Sequence, residues 1–338
     1  MEYINAEIKG ISYYLPEKIL DNKELANLYE NWSEEKILNK TGIARRHVAD
    51  EGECASDLAV NAAKKLFDNY LIKPQDIDFV LLATESPDYI MPSTACVLQH
   101  RLGIPKTAGA LDFNLGCSGY IYGLALAKGL IASKTARNIL FITADTLTKY
   151  THPYDKSFRM LVGDGATASW VAACEVEKIH SFYLGTDGEG AEKLIVPAGG
   201  CRLPKSAETG KEIADINGNI RSQDNLYMDG PGIFNFMVDV VPQTIKSVLD
   251  ANELKESDIN LYVFHQANKY MLDFLQKYLS IPGEKFYVNM YDVGNTISSS
   301  IPIALSMAEA EGRLCHGNKV MLVGFGVGLS WGAVIIEY

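Results

Sequence analysis

Two hydrophobic rhythms alternate along the chain. Short continuous apolar runs occur as FVLLA at Phe79–Ala83, ILFIT at 139–143, LYVF at Leu261–Phe264 and VMLV at 320–323. Between them lie longer stretches whose apolar positions recur every three or four residues. The short runs suit strands covered on both faces, and the longer period suits helices. The alternation predicts an α/β protein.

The pattern also repeats on a longer scale. IKPQDIDFVLLA from Ile72 is echoed by LKESDINLYVFH from Leu254, 182 positions later, and ARNILFI from Ala136 by GNKVMLV from Gly317, 181 positions later. The shared offset predicts a duplicated half of roughly 170–180 residues, too long and too few in copies for a solenoid. The two halves are expected at 1–174 and 175–338, with the join near 172–178. Residues 185–232, rich in Gly, Asp, Asn and Pro, are predicted to form loops and short elements that shape an active-site mouth or a subunit contact.

With 338 residues, 47% hydrophobic and 22% charged, the chain has the composition of a soluble globular enzyme with a large core. A net charge of -11 argues against nucleic acid as the main partner, because a phosphate backbone rewards a basic face. No stretch approaches the roughly 20 apolar residues that span a bilayer, and MEYINAEIKG lacks the basic and apolar regions of a signal peptide. A cytoplasmic protein with no membrane partner is expected. The six cysteines form no CxxC pair and none stands at zinc-ligand spacing from a histidine, so no metal site is expected.

Three residues stand where such a fold exposes chemistry. Cys117 lies in LDFNLGCSGYIYGLALAKGLI, after a predicted strand ending at Phe113 and before a helix predicted from Ser118 onward. Gly119, Gly123 and Gly129 would weaken that helix, so they mark close backbone approach. A thiol at the helix start would have its pKa lowered by the dipole. A buried structural cysteine fits the same spacing equally well. His265 closes the LYVF run, a position more often held by a hydrogen-bonded structural histidine. Asn295, in DVGNTISSSIPIAL, reads as a turn residue before a helix capped by Thr296 or Ser298. The duplication joins the three, because position 299 is the counterpart of position 117 and a pseudo-twofold axis would gather Cys117, His265 and Asn295 in one cleft. In GFGVGLSWGA (324–333) the closely spaced glycines suit a turn whose N–H groups approach a ligand. A dinucleotide motif does not fit there, because no βαβ unit follows.

Six motifs run in one order along almost the whole chain: TGIARR (41–46), GCSGYIYGL around Cys117, GDGA (163–166), HQAN (265–268), GNTISSSIP (294–302) and GFGVGLSWG (324–332). In these the chain resembles the β-ketoacyl-[acyl-carrier-protein] synthase III family of the thiolase superfamily. The resemblance implies a homodimeric thiolase fold, with duplicated αβα halves in a five-layer αβαβα arrangement. It implies an acyltransferase in which Cys117 attacks an acyl thioester. The backbone N–H groups of Cys117 and Val327 would form the oxyanion hole, worth on the order of 3–4 kcal/mol each. His265 and Asn295 would hold the enolate of a decarboxylating malonyl thioester, in fatty-acid initiation or a specialised acyl pathway. The implied partners are acyl carrier protein and acyl-CoA, with Phe325 and Asn268 as further substrate-binding residues and no metal or redox cofactor.

The chain also departs from the family pattern. Lys36 stands where family members carry an adenine-stacking tryptophan, Lys40 replaces the arginine that follows, and Tyr270 replaces an arginine linked to carrier docking. These changes point to a carrier-bound or unusual acyl donor rather than acetyl-CoA. Lys156 keeps a positive charge near a CoA contact, or is simply a solvated lysine. Met91 matches a residue of the partner subunit that caps the acyl pocket, or packs at the interface. Glu85, in ATESP, supports a rival reading, since a similarly placed glutamate is the general base of hydroxymethylglutaryl-CoA synthases. A non-catalytic scaffold subunit of a heteromeric synthase and a simple acyltransferase are the remaining readings.

Overall fold

The computed structural model describes residues 5–338. Its framework is a set of strands: β1 (Asn5–Tyr14), β2 (Phe79–Ala83), β3 (Gly109–Phe113), β4 (Asn138–Asp145), β5 (Gly165–Cys174), β6 (Ile179–Thr186), β7 (Leu261–Phe264), β8 (Phe286–Tyr287), β9 (Lys319–Gly326) and β10 (Ser330–Glu337). They form two five-stranded sheets, ordered β3-β2-β4-β5-β1 and β8-β7-β9-β10-β6. In each sheet the first three strands pair in parallel and the last two add antiparallel. The second order is the first with every label raised by five, so one topology occurs twice. The apolar runs read from the sequence are the central strands β2, β4, β7 and β9.

The helices that matter for the site are α1 (Glu34–Thr41), α2 (Ala55–Tyr70), α3 (Thr94–Arg101), α4 (Gly119–Ala132), α5 (Gly230–Ala251), α6 (Lys269–Tyr278) and α7 (Ser300–Ala310). Side chains alternate across a strand, so a continuous apolar run serves two cores at once. Leu81, Ile139 and Phe141 from one sheet and Val263, Val320 and Leu322 from the other share a core with α4 and α7. Their sequence neighbours face outward. Val80, Leu82, Leu140 and Ile142 pack with α2 and α3, while Tyr262, Phe264, Met321 and Val323 pack with α5 and α6. The result is five layers, helix–sheet–helix–sheet–helix, with α4 and α7 buried in the middle. Equivalent residues of the echo, such as Leu81 and Val263, occupy the same inner core.

Residues 185–232 match the expectation of loops and short elements, with two small two-stranded sheets and a 3-10 turn at Gly188–Lys193. The start of α7 differs from expectation. Thr296 stands at the start of only a short 3-10 turn, Ile297–Ser299, and neither it nor Ser299, which precedes α7, makes a side-chain cap. Ser298 turns its hydroxyl instead onto Asp145, at the end of β4 in the other half.

Two glycines of α4 separate packing from helix propensity. A Cβ on Gly123 would overlap the ring of Phe141, whereas one on Gly129 meets nothing within 4 Å. Alanine gains about 1 kcal/mol over glycine in a helix, but overfilling a packed core costs about 1–3 kcal/mol. Gly123→Ala should therefore lower the unfolding midpoint in urea and Gly129→Ala should raise it. Equal shifts would show that the α4 core yields freely.

Candidate active site

Cys117 sits in the turn between β3 and α4, one residue before the Ser118 N-cap, and is buried. The turn lies against the last strand pair of the other half. A Cβ on Gly324 would come within 2.8 Å of the Cys117 carbonyl oxygen and 2.9 Å of Ser118 Cα, and one on Gly326 within 2.8 Å of Cys117 Sγ. These glycines are thus required by close approach to the nucleophile loop. The approach aims the backbone N–H of Val327, with that of Cys117 itself, at the sulfur. Ser330 Oγ donates to the Val327 carbonyl (2.7 Å) and lies 2.6 Å from Ser118 Oγ, pinning the glycine turn to the start of α4.

His265 continues β7 by one residue, its N–H donating to the Val323 carbonyl (2.8 Å). The imidazole is buried, with Nδ1 2.8 Å from Ser300 Oγ, and the Phe325 ring stands edge-on to it at 5.9 Å. Burial depresses its pKa to about 3, and a hydrogen bond with the Ile297 backbone only partly opposes this. The ring is therefore neutral at neutral pH. Asn295 is also buried. Its Nδ2 donates to the Ala267 carbonyl (3.2 Å) and its Oδ1 accepts from Ile297 N–H (3.0 Å), which fixes the amide and leaves its second N–H uncommitted.

The other motifs have a mechanical reading here. Asn295 N–H donates to the Leu161 carbonyl, and Gly163 N–H to the Asn295 carbonyl, each at 2.9 Å. Arg46 of TGIARR is wholly buried and donates to the Met160 carbonyl, while Asp164 of GDGA accepts from Ala49 and Thr148. Arg46 and Asp164 therefore hold the loop that holds Asn295. In HQAN, Gln266 bridges the Phe264 carbonyl and Asn289 N–H, and Asn268 caps α6 by accepting from Met271 N–H (2.9 Å).

Cys117, His265 and Asn295 line one cavity of about 700 Å³, together with Phe325, Val327 and Asn268. Its wall is mostly apolar, including Leu147, Phe158, Leu194, Val196, Leu226 and Met228. Glu85 and Tyr270 line it too, and the lysines and Met91 lie elsewhere. Lys36 and Lys40 stack their ammonium groups on Trp32, which just precedes α1, at 4.8 and 5.0 Å from the ring centre. Lys40 and Lys156 border a neighbouring crevice with Trp32 and Arg221, and Lys156 donates to the Asn217 carbonyl (3.0 Å). Arg221 is engaged by Asp155 and Asp215. Met91 is 80% exposed and does not line the cavity of its own chain.

One expectation is reversed. The sequence reading lowered the Cys117 pKa by helix position, but the structure pushes the thiol well up. Burial is the main cause, and the nearby Glu85 and Asp145 carboxyls add to it. The two backbone N–H groups oppose the shift without overcoming it. Ser300 and Ser298 were missed as partners of His265 and Asp145. The serine run SSS in the motif was the only available signal, and it reads first as helix capping.

Relatives agree with this architecture. Residues 111–188 match the model for 3-oxoacyl-[acyl-carrier-protein] synthase III, and residues 249–338 match the model for its C-terminal part. A β-ketoacyl-[acyl-carrier-protein] synthase III of Caldanaerobacter subterraneus subsp. tengcongensis is 38% identical over 100% of this chain and 99% of its own. One from Clostridium perfringens is 38% identical over 98% and 99%. A solved 3-oxoacyl-(acyl-carrier-protein) synthase III superposes with a TM-score of 0.97 at 49% identity, covering 99% of this chain and 100% of that one. A priming β-ketosynthase from a polyketide pathway superposes with a TM-score of 0.85 at 26% identity over 99% and 97%. The chain belongs to the β-ketoacyl-[acyl-carrier-protein] synthase III family.

Proposed function

We propose that this protein condenses an acyl thioester with malonyl-acyl carrier protein, through an acyl-Cys117 intermediate, to give a β-ketoacyl thioester. The observation that carries this reading is the shared cavity of Cys117, His265 and Asn295, with all three side chains buried and uncharged at neutral pH. In the first step Cys117 sulfur bonds the acyl carbon, the original C–S bond breaks, and the thiol proton passes to the departing thiolate. The N–H groups of Cys117 and Val327 face the sulfur, where they would also receive the oxyanion. In the second step the malonyl C–C bond breaks and CO2 leaves. A neutral His265 and the free amide N–H of Asn295 would hold the enolate oxygen while its carbon bonds the acyl group and the Cys117 sulfur leaves, taking up a proton from solvent to return as the thiol.

A second copy of the chain would complete this site. β3 ends its sheet with one side open among the described residues, and Tyr89, Ile90, Met91 and Leu111 are exposed beside it. Apolar groups grouped at a sheet edge favour a homodimer, in which Met91 would reach the partner's cavity. The crevice bordered by Lys40 and Lys156 shares Met228, Gly230 and Pro231 with the cavity, so a CoA or carrier arm would enter past these lysines, with Lys36 nearby on Trp32. No described helix is long and apolar enough to cross a membrane, and a cytoplasmic site of action follows from substrates carried on acyl carrier protein. Housekeeping initiation and a specialised acyl pathway share this chemistry.

Incubation with acyl thioesters should add one acyl mass to the intact protein and nothing to Cys117→Ala. Malonyl-acyl carrier protein should then discharge the adduct with CO2 release. Discharge without CO2 would favour the Glu85-dependent rival, and no adduct from any donor would favour the scaffold reading. Gly326→Ala places a methyl 2.8 Å from the sulfur, so acylation should slow at least about tenfold while circular dichroism is retained. Normal acylation would show that the glycine turn yields.

His265 also gives a pH signature. Its folded pKa lies near 3, against an ordinary value of 6.5. Below 6.5 the unfolded chain takes up a proton that the folded one refuses. The residue's stabilising contribution is thus complete above that pH and declines on acidification, by up to about 1.4 kcal/mol per pH unit. His265→Asn should flatten the acid limb of urea-unfolding free energy between about pH 6.5 and 4. An unchanged limb would mean that the imidazole titrates like a free one.

A further inference from the structure

One polar group in the cavity has no place in the mechanism above. Glu85 leaves β2 two residues after Ala83, while Asn114 leaves the parallel neighbour β3 directly after Phe113, and the Thr84 N–H to Phe113 carbonyl bond (3.2 Å) carries the ladder up to them. Both side chains line the cavity, Asn114 at its exposed edge. The Glu85 carboxyl lies against Gly116, so closely that a Cβ on that glycine would overlap it, and Gly116 precedes the nucleophile. Glu85 is only partly exposed, and that exposure is to the cavity.

The carboxyl has no cation or hydrogen-bond donor among the described residues; Glu85 uses its backbone N–H, which donates to Asp145 Oδ1 (2.8 Å). The neighbouring carboxyl of Asp145 carries the same sign and is itself engaged by Ser298. Burial, with the like charge of Asp145 second, raises the Glu85 pKa, so the group is largely a neutral acid that can both donate and accept. In the empty cavity water can satisfy it. A plain alkyl chain entering beside Cys117 would displace that water and leave the carboxyl without a partner, which disfavours the complex. A hydroxyl would replace the water, donating to and accepting from the carboxyl. An ammonium would match the charge of an ionised Glu85 but would have to be desolvated against a mostly apolar wall.

We propose that Glu85 sets starter specificity, selecting an acyl thioester that carries a hydroxyl group on the first few carbons after the carbonyl. This rests on the acyl-Cys117 reading. The test compares acylation by butyryl-pantetheine and 3-hydroxybutyryl-pantetheine, both enantiomers, since pantetheine is common to CoA and carrier donors. Initial rates are read by intact-protein mass spectrometry in the wild type, Glu85→Gln and Glu85→Leu. One hydroxyacyl enantiomer should outpace butyryl by about tenfold or more in the wild type, because a site built to pair with a hydroxyl rejects the analogue lacking it. Glu85→Gln should keep the preference and Glu85→Leu should abolish or reverse it. Calorimetric binding of the same three thioesters to Cys117→Ala should rank them alike. A wild-type ratio near one, or one favouring butyryl, overturns the proposal whatever the variants do. A preference that persists in Glu85→Leu also overturns it, by assigning the selection to another residue. No adduct from any of the three thioesters overturns the acyl-enzyme reading and this inference with it.

Discussion

The site depends on two helices being enclosed between two sheets. α4 and α7 share one core with the inner faces of both sheets, so each helix is packed from both sides along its buried face. Small residues make this possible. Gly119, Gly123 and Ala127 of α4 and Ala304 and Ala308 of α7 are buried there, and Gly324 brings β9 against the backbone of the nucleophile loop. Close-packed interiors transmit displacement rather than absorb it. The positions of Cys117, His265 and Asn295 are therefore set by packing of the whole middle layer, and their own hydrogen bonds refine the orientation.

The electrostatics follow from the same enclosure. Among the described residues no lysine or arginine lines the cavity, and burial holds both the thiol and the imidazole in their neutral forms. A site of this kind stabilises charge that appears during reaction with oriented dipoles. The N–H groups at Cys117 and Val327, the neutral ring of His265 and the amide of Asn295 are such dipoles, and each is held by a second group. Ser300 sits on the imidazole, Ala267 and Ile297 on the amide, and Ser330 on the glycine turn. Preorganised donors need no reorientation when charge develops, which is where their catalytic value lies.

Much of this was legible in the sequence. The central strands were readable because each is apolar on both faces, which no amphipathic helix produces. The duplication was readable because Ile72 and Leu254 open equivalent segments, and the repeated sheet order bears it out. Cys117, His265 and Asn295 lie in one cavity as the motifs suggested. Sequence could not supply the sign of the thiol shift. Helix position alone lowers a cysteine pKa, whereas the structure adds burial and two carboxyls, one just beyond β2 and one at the end of β4, from other segments of the chain. Nor could it show that Lys36 and Lys40 fold onto Trp32, because that contact depends on helix α1 bringing side chains four residues apart onto one face. The roles of Arg46 and Asp164 as braces for the Asn295 loop likewise appear only when residues more than a hundred positions apart meet.

The repeated topology has one further consequence. The second half's counterpart of the nucleophile position is Ser299, which sits with its hydroxyl 2.8 Å from Thr143 Oγ1 and donating to the Thr143 and Gly165 carbonyls. Position 117 opens on a cavity, while position 299 is a closed rivet between the halves. Two copies of one scaffold have thus divided their labour: the same geometric point is a reaction centre in one copy and a joint in the other. The fold is symmetric, but its chemistry has a single direction.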